Sequence, residues 1–261
     1  MNESDATGLR SVSRAVTALE LIADAGELGV TELGRRLGVH KATASRLAAT
    51  LADRGLIERD PVTDRYRIGF GLVRLAGTAM SGLDLVRTAR PVLEHLAERT
   101  RETVNLGVLS TDGVVYVDQV AGTRAIVTAN WVGRRTPLHC TSNGKVLLAY
   151  MDEHERERHL RRPLERLTEE TLTDPAELSR HLEEVRRRGY AQTLEELEEG
   201  LNAVAAPVRR ADGRVTATVG VSGPAFRMTA MDLPRVGMLT VEAAAALSRQ
   251  LGYVDRRRST A

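Results

Sequence analysis

The chain contains little cysteine, few aromatic residues and almost no lysine. Its 261 residues include one cysteine, Cys140, which excludes a disulfide framework and a metal site built from several cysteines. Aromatic residues make up 3% of the sequence, so the core must be formed mainly by Leu, Val, Ile and Ala. Lys41 and Lys145 are the only lysines, and arginine supplies the rest of the positive charge.

The sequence also lacks a long apolar run and a signal-like beginning. No stretch approaches the ~20 consecutive apolar residues that cross a bilayer, and residues 1–9 are polar. Hydrophobic residues make up 42% and charged residues 28%, which is typical of a folded globular protein. We therefore expect a cytoplasmic protein, and the net charge of +2 by itself indicates no particular partner.

The motifs of common catalytic sites are incomplete. Ser142 and Lys145 have the S-x-x-K spacing of penicillin-recognising acyl enzymes, but these also need a Lys-Thr-Gly element, and the chain has no third lysine. The pair Gly144-Lys145 lacks the earlier glycine of a phosphate-binding P-loop, and Val146 stands where that loop has Ser or Thr. No H-E-x-x-H zinc motif occurs. We predict no enzymatic activity, no cofactor and no metal.

The N-terminal part of the chain predicts three helices followed by a hairpin. Apolar residues at helical spacing predict a helix from Ser11 or Ser13 to Ala25, and Thr31 can cap a short second helix. The other predicted elements are helices over 32–37 and 41–53 and strands over 56–59 and 66–68. This order is typical of a winged helix-turn-helix, which we assign to residues 9–70.

The third predicted helix has an apolar face and a small, polar, basic face. At about 100° per residue, Ala44, Ala48 and Leu51 fall on the core side with Leu47, and Ser45 and Arg46 fall opposite. Residues 33–52 carry four positive charges and no acid, although residues 1–70 as a whole carry ten acids and ten bases. The positive field is therefore local. The predicted DNA contacts are Lys41, Thr43, Ser45 and Arg46 and, on the wing, Arg65 with Tyr66 beside it. Arg35 is also predicted as a contact, and for both Arg35 and Arg36 the alternative is a solvated charge.

The second half of the chain predicts an α/β domain with a mainly antiparallel sheet. We expect a linker helix over 71–90, and Pro91 suits the first turn of a new helix over 91–99. The domain proper is assigned to 91–255. Its predicted strands are 103–109, 113–120, 125–130, 190–193, 202–209 and 214–221, and its predicted helices are 143–151, a charged section over 152–181, and a last helix from Pro234 to Leu251.

Several motifs together resemble one family. The segment 38–47 is similar to the recognition helix of IclR-type regulators. The segments 102–104, 137–145, 189–190, 221–224 and 251–253 resemble the effector-domain signatures of that family, in order. The resemblance covers roughly residues 9–254. It implies a winged helix-turn-helix that binds operator DNA, a linker helix used in dimerisation, a GAF-like domain that binds a small organic acid, a homodimer or tetramer, and no catalysis.

The resemblance also implies where the organic acid binds. In family members that bind a small oxoacid, the backbone at the start of a helix holds the carboxylate, and the corresponding residues here are Ser142, Asn143 and Gly144. Four polar positions of that pocket, an Asp, a Cys and two Ser, correspond here to Thr193, Ala203, Gly220 and Ser222. Only Ser222 is retained. We therefore expect a larger, less polar pocket and a bulkier, partly apolar acid: aromatic, branched or cyclic.

Two functions remain open from the sequence. The first is a transcription regulator whose operator binding is controlled by a small organic acid. The second is a small-molecule-binding or hydrolytic protein whose N-terminal domain mediates protein contacts. The basic, acid-free third helix favours the first. For Ser142 two roles are open, since it either caps the helix or contacts the ligand.

Overall fold

The structure is a computed structural model that describes residues 3–73, 75, 84–123 and 130–254, with side chains described from residue 10 onwards except at residue 84. The chain divides into two compact units, Met1–Leu83 and Asp84–Ala261. Each unit has its own sheet.

The N-terminal unit is a winged helix-turn-helix. Its elements are α1 (Glu3–Ala25), β1 (Glu27–Gly29), α2 (Val30–Leu37), α3 (Lys41–Asp53), β2 (Ile57–Arg59) and β3 (Arg65–Ile68). The three strands form an antiparallel sheet in the order β1-β3-β2. Buried apolar side chains from all three helices and the sheet pack together, among them Ile22, Leu33, Ala48, Leu51 and Ile57.

Three local predictions for this unit are wrong. The first helix begins at Glu3, well before Ser11. Strand β1 was not predicted, because three residues are too few to show an alternating pattern. Thr31 does not cap the second helix, because α2 begins at Val30, two residues before the predicted start. Its N-cap is Gly29, which makes no side-chain hydrogen bond.

The C-terminal unit is built on a six-stranded antiparallel sheet. Its elements are α4 (Asp84–Thr100), β4 (Thr103–Leu109), β5 (Val114–Val120), β6 (Arg135–Thr136), α5 (Ser142–Tyr150), α6 (Glu153–Leu160), α7 (Pro175–Arg188), β7 (Ala191–Leu194), β8 (Leu201–Arg209), β9 (Val215–Pro224) and α8 (Leu233–Gln250). The strand order is β6-β5-β4-β9-β8-β7, and every ladder in it is antiparallel. Helices α4 and α8 pack together on this sheet, as do α5 and α7.

Pro91 does not begin a helix. Helix α4 starts at Asp84 and continues through Pro91 to Thr100. A proline inside a helix cannot donate to the carbonyl four residues earlier, which normally favours a boundary. Here packing prevails, because one buried stripe, formed by Leu85, Ala89, Leu93 and Leu96, runs at helical spacing past the proline.

The predicted linker helix and the predicted strand over 125–130 are only partly described, and the charged section differs from its prediction. Residues 70–73 are helical and 84–90 belong to α4, whereas residues 74 and 76–83 lie outside the described residues. The predicted strand over 125–130 likewise falls almost entirely outside them. The charged section over 152–181 is not one helical stretch, because α6 ends at Leu160 and α7 begins only at Pro175.

Helix α5 is buried along almost its whole length and carries the chain's second lysine. Residues 142–149 are all buried, and Lys145 is fully buried. Its Nζ donates to Oε1 of Glu196, which lies in the segment between β7 and β8 and is itself almost fully buried. Burial lowers the pKa of Lys145 and raises the pKa of Glu196, so each group needs the other to remain charged. This ion pair fixes α5 to the β7–β8 segment.

Replacing Lys145 by Met is expected to destabilise the C-terminal unit by about 3–5 kcal/mol, because Glu196 then remains buried without a cation. The double variant Lys145→Met/Glu196→Met is expected to recover most of the loss, since it removes both desolvated charges. Urea unfolding of the wild type and both variants measures this. Equal stability of the wild type and the single variant would contradict it.

The single variant is also expected to depend on pH in a defined direction. Burial raises the pKa of Glu196 above 4.5 and Lys145 lowers it, so loss of Lys145 raises this pKa further, and Glu196 in the variant holds a proton that the unfolded chain releases. The free energy of unfolding therefore falls as the pH rises above 4.5. The gap to the wild type should be smaller near this pH than at neutral pH.

Candidate functional site

The outward face of α3 is basic and accessible. Lys41, Ser45 and Arg46 are exposed, and Thr43 is half-buried, while Ala44 faces the core. The first turn of α3 contains no acidic residue, so nothing there offsets the partial positive charge of the helix N-terminus. This face therefore presents donors and positive charge where a recognition helix meets DNA.

Two glycines set the geometry of the helix-turn-helix. Gly38 ends α2 with a φ of 64°, a left-handed conformation that favours glycine. At Gly34, a Cβ atom would lie 3.1 Å from the Val39 carbonyl oxygen and 3.4 Å from the Ala44 Cβ. The absence of a side chain at Gly34 thus allows α2 to approach the start of α3 closely.

The predicted arginine contacts Arg35 and Arg65 are held by carboxylates of the same unit. Arg35 Nη2 lies 2.7 Å from Oε1 of Glu32, and Arg65 Nη1 lies 2.8 Å from Oε1 of Glu27. Lys41 and Arg46, in contrast, make no ion pair to any residue that the structure describes. Of these four predicted cations, the two on α3 are thus the ones directly available to a phosphate.

Tyr66 does not lie on the DNA-facing side of the wing. It is buried in the core of the N-terminal unit, 8% exposed. Side chains alternate along β3, so when Tyr66 points inward, Arg65 and Arg67 point outward. The prediction that Tyr66 contacts DNA beside Arg65 is therefore wrong.

In the C-terminal unit, a cavity lies between the N-terminus of α5 and the sheet. Thr193 on β7, Ala203 on β8 and Ser222 on β9 are direct neighbours across these strands and line it together. Ser142, Asn143 and Gly220 also line it. Six of the seven residues that the resemblance pointed to thus meet at one cavity.

Gly144 is the seventh and does not line the cavity. Its N–H donates to the Thr141 hydroxyl, and a Cβ atom at Gly144 would lie 2.3 Å from the Leu138 carbonyl oxygen. Gly144 therefore allows α5 to pack against the backbone. The side-chain N-cap of α5 is Thr141, so the capping role considered for Ser142 is wrong. The N–H groups of Ser142 and Asn143 remain, and by helix geometry they have no acceptor within the helix.

Gly220 does not enlarge the cavity. A Cβ atom there would lie 2.4 Å from Oδ1 of Asn143, so the Asn143 side chain occupies the space that a larger residue would fill. The Asn143 amide donates to the Thr218 hydroxyl at 2.9 Å, and Thr218 donates to the Gly107 carbonyl at 3.2 Å. The expectation of extra room at Gly220 is wrong, because the side chain of Asn143 is part of the wall.

Seven further residues line the cavity without having been predicted as site residues: Asn105, Tyr116, Trp131, Thr141, Leu197, Leu201 and Val221. Asn105 lies opposite Gly220 across β4 and β9, and its Nδ2 is 3.4 Å from the Ser222 hydroxyl. Its Oδ1 is buried and has no hydrogen-bond partner among the described residues. A buried polar atom without a partner is costly, so it is a candidate ligand contact.

The cavity has an aromatic side and is small in this conformation. Tyr116 and Trp131 pack edge to face with ring centres 6.0 Å apart. Burial raises the pKa of Tyr116 to about 12, so its hydroxyl is neutral. The space open to the centre of a water-sized sphere is about 30 Å³. Because one water needs about 10–15 Å³ of such space, the cavity holds about two waters as it stands.

A chain of hydrogen bonds leads from the cavity wall to α4. The backbone N–H of Trp131 donates to Oε1 of Gln119 at 2.8 Å, and the Gln119 N–H donates to Oδ1 of Asp118 at 2.8 Å. Arg90 on α4 donates to the same Asp118 oxygen at 2.8 Å. The backbone of Trp131 is thus connected by hydrogen bonds to α4.

The described segments contain neither a membrane span nor a metal cluster. None of the helices there is long and apolar enough to cross a membrane. The same residues include no group of three or more His, Cys, Asp or Glu side chains placed to hold a metal ion. Cys140 is buried, and burial raises its pKa to about 12, which makes it a poor nucleophile.

Comparison with known proteins identifies both units. Residues 11–61 match the IclR helix-turn-helix domain, and residues 77–249 match the C-terminal domain of bacterial IclR transcriptional regulators. The HTH-type transcriptional regulator BhcR of Paracoccus denitrificans is 38% identical over 249 residues, which cover 95% of this chain and 89% of that protein. KdgR of Escherichia coli, also an HTH-type transcriptional regulator, is 33% identical over 246 residues and covers 94% of each chain.

Solved structures agree with this match. An IclR homologue from Microbacterium hydrocarbonoxydans, crystallised in complex with 4-hydroxybenzoate, superposes with a TM-score of 0.82 at 29% identity, over 92% of this chain and 98% of that one. The IclR protein of Thermotoga maritima superposes with a TM-score of 0.76 at 29% identity. These matches confirm the resemblance and the two-domain fold, and the chain belongs to the IclR family of bacterial transcriptional regulators.

Proposed function

We propose that this regulator binds duplex DNA through the exposed face of α3 and that an organic acid in the α5 cavity changes its affinity for DNA. The observation that carries the proposal is the cavity itself. It combines two N–H groups at a helix N-terminus with the unpartnered Oδ1 of Asn105 and an aromatic side. The N–H groups fit a carboxylate, the Asn105 oxygen can accept from a donor such as a hydroxyl on the ligand, and the aromatic side fits an apolar body.

For DNA, we assign the main phosphate contacts to Lys41 and Arg46. Both are exposed on α3 and make no ion pair among the described residues, so neither has to leave a partner to reach a phosphate. Ser45 and Thr43 lie between them and can donate to phosphate or base edges. Arg35 and Arg65 have to exchange a carboxylate for a phosphate.

The double variant Lys41→Ala/Arg46→Ala is expected to weaken DNA binding at least tenfold at low salt. The slope of log K against log salt should become shallower by about one unit for each lost phosphate contact. Fluorescence anisotropy with the DNA upstream of the protein's own gene measures both. Arg214→Ala/Arg249→Ala removes the same charge from exposed positions of the other unit and should change little. Wild-type affinity in the α3 variant would refute the assignment.

For the ligand, we favour an aromatic or otherwise bulky acid over a two-carbon oxoacid. Tyr116, Trp131 and Leu197 supply apolar surface, while Ser222, Thr193 and Asn105 supply polar groups. The family member crystallised with 4-hydroxybenzoate supports this class. Since the cavity holds only about two waters, such a ligand has to displace a wall.

We propose that this displacement is the regulatory step. Leu197 and Trp131 belong to segments outside the main ladders of the sheet, and Trp131 connects through Gln119 and Asp118 to Arg90. A ligand that fits only when the wall is displaced binds the conformation with the displaced wall better than the one described here. It therefore shifts the equilibrium toward the displaced conformation. Helix α4 then transmits the shift along the chain toward the DNA-binding unit.

Titration with a panel of acids tests the ligand class. We expect 4-hydroxybenzoate or benzoate to bind more tightly than glyoxylate or pyruvate in isothermal titration. Asn105→Leu and Ser222→Ala should each weaken binding about tenfold, because each removes a group that faces the ligand. Ser179→Ala is a matched control, since this hydroxyl bonds to the α7 backbone. Tight glyoxylate or pyruvate binding with no gain for larger acids would contradict the assignment.

We also propose a homodimer, which is the implication of the family resemblance. Val12, Val16, Phe70 and Val73 are apolar side chains that the isolated chain leaves exposed. A dimer would place two copies of α3 on two half-sites of an operator with two-fold symmetry. Sedimentation velocity at micromolar concentration should give twice the monomer mass, and a monomer would contradict the proposal.

A further inference from the structure

One carboxylate in the DNA-binding unit holds two arginines. Glu32, in the first turn of α2, accepts from Nη2 of Arg35 at 2.7 Å and from its Nε at 3.0 Å. Its Oε1 also accepts from Nε of Arg36 at 2.8 Å. These hydrogen bonds, that of Arg35 foremost, lower the pKa of Glu32 to about 2. Glu32 is therefore ionised at any pH at which the protein works.

A second carboxylate does the same on the wing. Oε1 of Glu27 on β1 accepts from Nη1 of Arg65 on β3 at 2.8 Å, and these two strands pair directly in the sheet. Both partners are about half exposed. The basic side chains of the wing and of α2 are thus neutralised within the unit, while those of α3 are not.

These ion pairs lie on the surface, where phosphate can compete for the arginines. The Arg35 side chain is 73% exposed and that of Glu32 34%. Exposed ion pairs in water are weak, so an arginine can exchange its carboxylate for a phosphate at a modest cost. In helix-turn-helix docking, the helix before the recognition helix crosses the phosphate backbone. Arg35 and Arg36 lie in the last turn of that helix, α2.

We propose that Glu32 competes with DNA phosphate for Arg35 and Arg36, and Glu27 for Arg65, and that this competition lowers the affinity for DNA of arbitrary sequence. Binding to such DNA depends almost wholly on phosphate neutralisation. Binding to a preferred sequence also uses contacts to base edges, for which Thr43 and Ser45 on α3 are the candidates. The carboxylates therefore weaken non-specific binding proportionally more and act as specificity determinants. This inference rests on the DNA binding proposed above.

The test is a comparison of the wild type with Glu32→Gln on a short duplex of scrambled sequence, by fluorescence anisotropy over a potassium chloride series. Glutamine keeps the size of the side chain and removes its charge. We expect binding about two- to fivefold tighter at low salt. The slope of log K against log salt should become steeper by about one to two units, because two arginines are released to phosphate.

A thermodynamic cycle separates this effect from a general change of charge. In an Arg35→Ala/Arg36→Ala background, adding Glu32→Gln should change the affinity far less, because no arginine is left to release. Asp24→Asn removes one negative charge from the same unit, and Asp24 makes no ion pair with the described residues. Its effect should be smaller than that of Glu32→Gln.

Circular dichroism checks that each variant folds. If Glu32→Gln does not fold, Glu27→Gln makes the same test through Arg65, with tighter binding again expected. An unchanged affinity, or a gain of equal size in the background without the two arginines, would overturn the proposal. A wild type that binds no DNA at all would instead contradict the proposed function.

Discussion

The C-terminal unit depends on how α5, a helix buried along almost its whole length, satisfies its polar groups. Thr141 caps its N-terminus, Asn143 bonds to Thr218, and Lys145 pairs with Glu196. Each of these bonds ends on a different part of the chain, so the position of the helix is fixed from several sides. These bonds favour one arrangement, because any other position of the helix would leave the same buried polar groups without their partners, which is costly.

The cavity follows from that arrangement. Two close approaches bring α5 against its neighbours: its backbone meets Leu138 at Gly144, and its Asn143 side chain meets β9 at Gly220. Ser142 and Asn143 at the N-terminus of α5 thereby line the cavity together with a row of strand residues that includes Ser222. The end proposed to bind the carboxylate is thus held by these close approaches, while the apolar side, with Leu197 and Trp131, comes from segments between the main strands. A rigid polar end and an adjustable apolar end suit a site that signals occupancy.

The sequence predicted the elements that have a strong local signal. Helix α3 has the predicted bounds, Lys41–Asp53, because its apolar face recurs over three turns. The order of the other helices and strands is also largely as predicted. Where the prediction failed, contacts between residues distant in sequence decide the structure. Strand β1 forms only because it pairs with β3. Helix α4 continues through Pro91 because its stripe of buried apolar residues extends past the proline.

The candidate sites were predictable only in part, for the same reason. The motif positions led to Ser142, Asn143, Thr193, Ala203, Gly220 and Ser222, which the sheet register brings together. Asn105 and Trp131 belong to no sequence motif. Asn105 reaches the cavity through the pairing of β4 with β9, and Trp131 is held there by its hydrogen bond to Gln119. Residues 33–52 do contain no acidic residue, but Glu32 directly precedes this stretch. Only the folded helix shows that this acid neutralises two of the four cations.

If the cavity and α3 are coupled, the acid changes the affinity for DNA and the DNA changes the affinity for the acid by the same factor. Measuring both effects tests the coupling most directly. Trp131 is the chain's single tryptophan and lines the cavity, so its fluorescence reports ligand binding without a label. The dissociation constant of the best-binding acid would be measured by this signal with and without saturating upstream DNA, and that of the DNA with and without saturating acid. We expect both constants to change by the same factor, different from one. An acid that binds at Trp131 and leaves the affinity for DNA unchanged would contradict it.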